Sequence, residues 1–197
     1  MKIGLIVESG PQGAEVQVLP KLIGMLGHKH TVSIATFDNK PRMIEACGKA
    51  AARLIGEGCR KVLIVWDLFP AWRQKGQKPC RREDRQSIAA SLQAAGIAER
   101  HVSLICIEEE LEAWLIADGR ALSAVLSTPA HPVRAGDSKS PEDLPNPKAR
   151  LRKLFQRSGR GDYTDRVHAG KIVDALPDLT RLRRCASFRR FEVALGR

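Results

Sequence analysis

The sequence lacks several features that mark common classes of protein. No apolar run approaches the roughly 20 residues that a membrane-spanning helix needs, and the N-terminal segment MKIGLIVESG is too short for a secretory signal peptide. The five cysteines form no C-x-x-C pair, so neither a zinc ribbon nor a redox motif is expected. No G-x-G-x-x-G or Walker-type loop and no Ser/His/Asp set stands out. We therefore expect a cytoplasmic protein that does not bind a membrane and whose thiols are reduced and mostly buried.

Positive charge exceeds negative charge, and the excess lies at one end of the chain. The formal net charge is +11 over 197 residues. Residues 147–197 hold 14 Lys or Arg and 5 Asp or Glu, a net charge of +9, which leaves +2 for the rest of the chain. A basic segment on a nearly neutral body is typical of proteins that bind a polyanion, most often nucleic acid. A solvated, charge-rich helical surface is the alternative, and both interpretations stay open at this point.

Strand and helix patterns alternate along the first 118 residues. Residues 2–7, 30–36, 61–66 and 101–107 are predicted to form strands. The unbroken apolar runs at 2–7 and 61–66 predict that these two strands are buried on both faces. Helical spacing of apolar residues predicts helices over 14–26, 41–57, 81–95 and 108–126. Pro20 should kink the first of these helices or delay its start. The alternation predicts an α/β fold with a mainly parallel central sheet and flanking helices.

Five prolines between residues 127 and 147 mark a boundary in the chain. We divide the chain there into an α/β body over residues 1–127, a proline-rich connection over 128–147 and a basic helical extension over 148–197. Short helices are expected in the extension near residues 148–155, 164–176, 178–184 and 187–195. The extension is expected to pack on the body.

Acidic residues follow three of the predicted strands. Glu8 comes directly after the first strand, Asp67 ends the third, and four glutamates of the segment 108–112 follow the fourth. Parallel strands bring their carboxyl ends to one edge of a sheet, where ligands bind in α/β proteins. Carboxylates gathered there repel one another unless a cation is present, and Mg²⁺ prefers such hard oxygen ligands. We expect the carboxyl groups of Glu8 and Asp67 to lie within about 8 Å of each other, which allows them to share an ion. Solvated loop carboxylates and helix-end stabilisation are the alternatives.

These strand ends resemble the TOPRIM fold of topoisomerases, primases and OLD-type nucleases. In that fold a Glu ends the first strand, an Asp-x-Asp ends a later one, and together they bind Mg²⁺. The fuller pattern resembles an uncharacterised bacterial TOPRIM-like family, and the resemblance spans most of the chain. It includes Ile6-Val7-Glu8, Gly13-Ala14-Glu15, Val65-Trp66-Asp67, the segment EEELEAWLIAD at 108–118 and RCASFRRF at 184–191.

The resemblance implies a Mg²⁺- or Mn²⁺-dependent nuclease, or a related phosphoryl-transfer enzyme, that acts on nucleic acid. Metal-bound carboxylates hold a phosphate and activate water for attack on it. Such proteins often work beside an ATPase partner in bacterial defence. The alternative is a catalytically degraded TOPRIM-like interaction subunit that binds nucleic acid or a partner protein. A small-nucleotide-binding regulator is a third and weaker interpretation.

The sequence departs from the TOPRIM pattern at the second acid of Asp-x-Asp. The motif is Asp67-Leu68-Phe69 here, and a phenylalanine cannot bind a metal. Either another acid replaces it or catalysis is weakened. Glu112 is the preferred substitute, with Glu110 and Glu108 behind it, because helical spacing puts residues 108 and 112 on one face. Glu15 joins the site if the first helix starts near the edge of the sheet.

Basic residues near and within the extension are candidates for contacts with phosphate groups. Four of them form the densest basic patch, and Phe188 and Phe191 are expected to anchor that patch to the core. Phe69 and Trp72, in the loop after Asp67, are candidates for contact with a substrate. The nucleic-acid-binding candidates are Lys139, Lys148, Arg150 and Arg152, together with the dense patch of Arg183, Arg184, Arg189 and Arg190.

Overall fold

A four-stranded parallel sheet lies at the centre of the protein. The computed structural model describes residues 1–27, 30–70 and 78–196. The strands are β1 (Lys2–Val7), β2 (Thr31–Thr36), β3 (Lys61–Asp67) and β4 (Val102–Ile107). Their order is β2-β1-β3-β4, and all three pairings are parallel. The predicted α/β class with a parallel sheet is confirmed.

Helices cover both faces of the sheet. In the described part of the chain they are α1 (Ala14–Met25), α2 (Lys40–Gly56), α3 (Arg81–Ala94), α4 (Glu112–Ile116), α5 (Gly119–Leu126), α6 (Pro147–Arg157), α7 (Asp165–Asp174) and α8 (Ala186–Ala194). The helix α1 starts at Ala14, as predicted, and continues through Pro20, so the alternative of a later start is wrong. The helix predicted over 178–184 is limited to a 3-10 turn at Leu182–Arg184.

The acidic segment after β4 is not helical, so the prediction of one helix over 108–126 is wrong. The carbonyl of Glu109 accepts a hydrogen bond from the backbone N–H of Phe69 at 3.0 Å, which ties the segment to the loop after β3. Glu109 itself has a left-handed φ of 63°, which no helix interior allows. The helix α4 begins only at Glu112, and Asp118 starts a new helix by accepting from the N–H of Arg120 at 2.8 Å. Glu108 and Glu112 therefore do not share a helical face.

The core lies on both sides of the sheet. Ile6, Ile64 and Trp66 pack with α2 and α3, whereas Leu5 and Val65 on the opposite face pack with α1 and with residues from the C-terminal part of the chain. The strands β1 and β3 are buried on both faces, as their continuous apolar runs indicate. The edge strand β2 and the first half of β4 are only half-buried. All five cysteines are free thiols, and Cys80 alone among them is exposed.

Trp114 joins α4 to α8 inside this core. Its indole N–H donates to the Ser187 hydroxyl at 2.7 Å, and its ring lies 5.2 Å from Phe188 and 5.6 Å from Phe191. Both phenylalanines are fully buried, so they anchor α8 as the sequence suggests. Because α4 follows the end of β4, these contacts also hold the C-terminal helices close to the carboxyl edge of the sheet.

Within the described residues, no helix is long and apolar enough to cross a membrane.

Candidate metal centre

Three carboxylates converge at the carboxyl edge of the sheet. Glu8 follows β1, Asp67 ends β3, and Glu15 lies in the first turn of α1. One carboxylate oxygen from each residue lies within 4.8 Å of the other two. The expected closeness of Glu8 and Asp67 is therefore confirmed, while their role as metal ligands stays a prediction. Glu15 completes the group because α1 starts at this edge.

The local backbone explains why these side chains meet. Val7 pairs with Val65 in the parallel register, so Glu8, which follows Val7, lies beside the last residues of β3, Trp66 and Asp67. The backbone N–H of Asp67 donates to the Glu8 carboxylate at 3.1 Å. A tight turn, in which the N–H of Gly13 donates to the carbonyl of Gly10 at 2.9 Å, then brings the chain back to the edge. A Cβ at Gly13 would lie 2.1 Å from the Ser9 hydroxyl, so only glycine fits there.

Burial of like charges perturbs these carboxyl groups. Burial raises the pKa of Glu8 from 4.5 to about 7, an effect that Lys40 opposes and Glu15 reinforces. Burial, followed by the charge of Glu8, raises the pKa of Asp67 well above its usual range. The Oδ1 atom of Asp67 is buried and has no hydrogen-bond partner among the described residues. A buried carboxylate without a partner is costly, and a bound cation would remove that cost. The donor set and this orphaned oxygen therefore fit a divalent metal ion.

Lys40 fixes the backbone that follows Asp67. Its ammonium group is buried and donates to the carbonyls of Leu68 at 2.8 Å and Pro70 at 2.7 Å. It also lies 3.8 Å from the carboxylate of Asp84, which accepts a hydrogen bond from the indole of Trp66 at 3.0 Å. Sequence analysis missed Lys40. The available signal was its place directly after the helix cap Asn39, since helix α2 also starts at this edge.

Glu112 lies on another wall of the site and has different partners. It accepts a hydrogen bond from the Tyr163 hydroxyl at 3.3 Å, and the ammonium group of Lys148 lies 3.7 Å from it. Burial raises the pKa of Glu112 to about 7, and the nearby Lys148 opposes the rise. Its charge contributes to the raised pKa of Asp67. Glu15, rather than Glu112, therefore supplies the third carboxylate of the close group.

Glu108 and Glu110 have protein partners away from the three carboxylates. Glu108 pairs with Arg81 at 2.5 Å and with Arg190 at 2.9 Å. The Glu110 carboxylate accepts from the backbone N–H of Lys148 at 3.2 Å, at the start of α6. These contacts satisfy both carboxylates without a metal ion, and neither residue belongs to the close group of three.

A pocket of about 410 Å³ opens above the carboxylates. Its volume lies in the range of small-molecule sites. Acidic and basic groups share its wall, which suits a ligand that combines a cation with an anion. The charged residues that line it are Glu8, Glu15, Asp38, Lys40, Asp67, Glu112, Lys148 and Asp165.

The basic candidates fall into two groups. In the dense patch, Arg183 pairs with Glu192 at 2.7 Å, Arg190 pairs with Glu108, and Arg184 donates to the carbonyl of Ser138 at 2.8 Å. Arg189 donates to the carbonyl of Arg183 at 2.5 Å. Lys148, outside that patch, pairs with Asp165 at 2.7 Å. By contrast, the side chains of Lys139, Arg150 and Arg152 have neither an ion-pair nor a hydrogen-bond partner within the described residues. Phe69 is 40% exposed, and Trp72 lies outside the described residues.

Comparison with known proteins gives a family and one similar solved structure. Residues 12–196 match the family model DUF4276, described as a domain of unknown function. The chain belongs to this family. Among solved structures, the C-terminal region of the Burkholderia pseudomallei OLD protein is similar over 98% of each chain, with 16% sequence identity and a TM-score of 0.47. A search of curated proteins gives no match.

The raised pKa values predict how the stability of the metal-free protein depends on pH. For Glu8 and Glu112 the folded-state pKa is about 7 against an ordinary value of 4.5. Because the folded protein favours the protonated carboxyl groups, their contribution to the free energy of unfolding is fully present below about pH 4.5. This contribution is lost as the pH rises through 7. We expect the melting temperature to fall between pH 5 and pH 8, and Mg²⁺ to restore it most strongly above pH 7, because it binds the ionised carboxylates.

The variant Asp67→Asn should remove one buried like charge. We expect its metal-free melting temperature at pH 8 to exceed that of the wild type by a few degrees, on the order of 1 kcal/mol, and Mg²⁺ to add little further. Thermal unfolding followed by circular dichroism measures both effects. The control Asp143→Asn changes an exposed residue and should behave as the wild type. An Asp67→Asn protein that keeps the full Mg²⁺ response would contradict this account.

Proposed function

We propose that the protein is a Mg²⁺-dependent phosphoryl-transfer enzyme that hydrolyses phosphodiester bonds in nucleic acid. The observation that carries the proposal is the group formed by Glu8, Glu15 and Asp67, with an orphaned buried oxygen on Asp67. Oxygen-only donors of this kind suit Mg²⁺ and Mn²⁺ better than softer metals. The resemblance of Glu8 and Asp67 to the metal-binding acids of TOPRIM proteins supports the same function.

Glu8, Glu15 and Asp67 are the residues that would hold the ion. A divalent ion bound there supplies positive charge against the negative charge that develops on a phosphate in the transition state. The protein contributes the arrangement of the carboxylates, since the N–H of Asp67 fixes Glu8 and the ammonium of Lys40 fixes the backbone after Asp67. Lys40 therefore acts as a positioning residue.

Two further residues of the pocket are suited to the other parts of the reaction, Lys148 to phosphate binding and Glu112 to proton transfer. Lys148 lines the pocket at the start of α6, where its ammonium group pairs with Asp165 at 2.7 Å. A phosphate oxygen in the pocket would compete with Asp165 for this charge. Glu112, with a pKa of about 7, is suited to proton transfer near neutral pH. Its contact with the Tyr163 hydroxyl holds its carboxylate in one orientation. In this mechanism Glu112 accepts the proton of the attacking water.

The surface of α6 supports nucleic acid as the substrate. This helix carries five Lys or Arg and no acid. Arg150, Lys153 and Arg157 follow one another at spacings of three and four residues, so they share one face. With Lys139 they line a second groove of about 890 Å³. Lys148, at the start of the same helix, lines the pocket above the three carboxylates. A nucleic-acid backbone bound along α6 would therefore extend to that pocket. A partner ATPase, a role in bacterial defence and a cytoplasmic location belong to this proposal through the TOPRIM resemblance.

One observation favours the alternative of an interaction subunit with a degraded site. Phe69 occupies the position of the second acid of Asp-x-Asp, where it supplies no ligand and is 40% exposed. In this alternative the carboxylates bind an ion that stabilises the fold, and the protein binds nucleic acid or a partner protein without cleaving a substrate.

Activity measurements on two variants separate these functions. Asp67→Asn keeps the shape of the side chain but removes a charge that the ion needs, so cleavage should fall about a hundredfold or more. Glu112→Gln should lose activity through the missing proton acceptor while it retains the Mg²⁺-induced rise in melting temperature. The assay is Mg²⁺- or Mn²⁺-dependent cleavage of single- and double-stranded DNA and RNA. The control is Glu45→Gln, which changes an exposed residue outside the pocket and the α6 groove.

Two results of this assay would contradict the enzyme. One is a wild-type protein that is inert on every substrate, both alone and with a neighbouring ATPase. The other is cleavage at the wild-type rate by Asp67→Asn. If the inert protein binds nucleic acid or a partner as tightly as its Asp67→Asn variant, the interaction subunit is the correct function.

Salt dependence of binding tests the role of α6. Replacing Arg150, Lys153 and Arg157 by Gln should weaken DNA binding and lower the slope of log K against log salt by about 2 to 3, because each phosphate contact contributes about 0.9. Replacing the four ion-paired or hydrogen-bonded arginines of the dense patch should lower it less. Fluorescence anisotropy with a labelled duplex measures both slopes. If the slope decreases more in the dense-patch variant than in the α6 variant, nucleic acid binds at the dense patch and not along α6.

A further inference from the structure

The strand β4 forms an edge of the sheet and leaves backbone groups unpaired. The N–H of Leu68 donates to the carbonyl of Ile107 at 2.8 Å, so that carbonyl faces β3. Along a strand the direction of these groups alternates from residue to residue, and those of Val102, Leu104 and Cys106 therefore face outward. The guanidinium of Arg190 donates a hydrogen bond to the Cys106 carbonyl at 3.0 Å. No strand of the described chain pairs with the remainder of this edge.

An open groove of about 1620 Å³ runs along this edge. Helix α3 forms one wall and α8 forms the other, and β4 lies between them at the base. Apolar groups of Leu92, Ile97 and Val193 line part of it, and Val193 is 65% exposed. An added strand would continue the sheet at the usual spacing of about 4.8 Å and would lie between the two helices. The groove thus has the form of a vacant strand position.

The walls of the groove are strongly basic. Its described lining includes six Lys or Arg and no Asp or Glu, namely Lys61, Arg81, Arg82, Arg85, Arg189 and Arg190. Arg81 and Arg190 share the single carboxylate of Glu108 at the carboxyl end of β4. Arg82 and Arg85 have no ion-pair partner within the described residues. Arg81, Arg82 and Arg190 therefore concentrate positive charge toward Glu108. At the opposite end Lys61, the first residue of β3, lies with Leu92 and Ile97, which make that end more apolar.

We propose that this groove binds an extended, acidic segment of a partner protein, which pairs with β4 as a fifth strand. Backbone hydrogen bonds to Val102 and Leu104 provide affinity, and side chains alternate between the α3 wall and the α8 wall. The acidic residues of the segment lie toward Arg82 and Arg85, and its apolar residues lie toward Ile97. The interaction is separate from the carboxylate pocket and does not depend on the proposed enzymatic function.

Two other occupants fit the groove less well. A second copy of this chain, paired through the same edge, would bring six cations against the same six cations, because a two-fold interface is self-complementary. Single-stranded nucleic acid would use aromatic side chains as stacking platforms, and no aromatic residue lines the described part of the groove. Nor would nucleic acid use the alternating donors and acceptors of a strand edge.

A synthetic peptide tests strand addition directly. The probe is a fluorescein-labelled peptide of about ten residues, rich in Glu in one half and in Val, Ile and Thr in the other. We expect it to bind the full chain and to slow amide hydrogen exchange at Val102 and Leu104 by at least about tenfold. The same peptide with alternate backbone amides N-methylated cannot pair with a strand, so it should bind at least about tenfold more weakly.

Charge reversal tests the basic wall. The double variant Arg82→Glu/Arg85→Glu changes exposed residues of α3, so the fold should be kept, as circular dichroism can verify. It should weaken binding of the peptide by about tenfold or more. The matched control Lys49→Glu/Lys171→Glu makes the same change in net charge outside the groove and should bind the peptide nearly as the wild type does.

Three outcomes would overturn the proposal. If the N-methylated peptide binds as tightly as the unmethylated one, the peptide is held by charge alone and does not pair with β4. Equal losses in the two double variants would mean a response to net charge alone. Protection of Val102 and Leu104 by single-stranded DNA, without binding of the peptide, would make nucleic acid the occupant of the groove.

Discussion

Repulsion among partly buried carboxylates at the carboxyl edge of the sheet is the constraint on which this protein depends. Glu8, Glu15 and Asp67 have oxygens within 4.8 Å of one another, and an oxygen of Asp67 is buried without a partner in the described chain. Such an arrangement destabilises a metal-free fold. The surrounding contacts hold the carboxylates together despite this cost. Lys40 ties down the backbone after Asp67, and a constrained turn before α1 brings Glu15 to the edge.

Much of the fold and all three carboxylates could be predicted from the sequence, Glu15 on the condition that the first helix starts near the edge of the sheet. Continuous apolar runs have one stable location, the middle of a sheet covered on both faces, and the residue that follows such a run lies at a sheet edge. Glu8 and Asp67 could be paired for that reason, since parallel strands bring these ends together. The prediction needed only local pattern and topology, and no knowledge of side-chain contacts.

The rest of the candidate site depends on tertiary contacts that local pattern does not encode. Glu109 adopts a left-handed conformation and bonds to the loop after β3, so the acidic segment after β4 could not be distinguished from a helix start. Lys40 resembled any helical lysine until the fold placed it beneath the Asp67 loop. The same holds for Arg183 and Arg190, whose charges looked available for phosphate although Glu192 and Glu108 bind them.

The central claim is that Glu8, Glu15 and Asp67 bind one divalent ion. Anomalous diffraction from crystals soaked with Mn²⁺ tests it most directly. The account predicts one strong anomalous peak with oxygens of these carboxylates at about 2.1 Å, as for Mg²⁺, and its loss in crystals of the Asp67→Asn variant. A peak bound instead by Glu108 or Glu110, or no peak at this edge at saturating Mn²⁺, would contradict it.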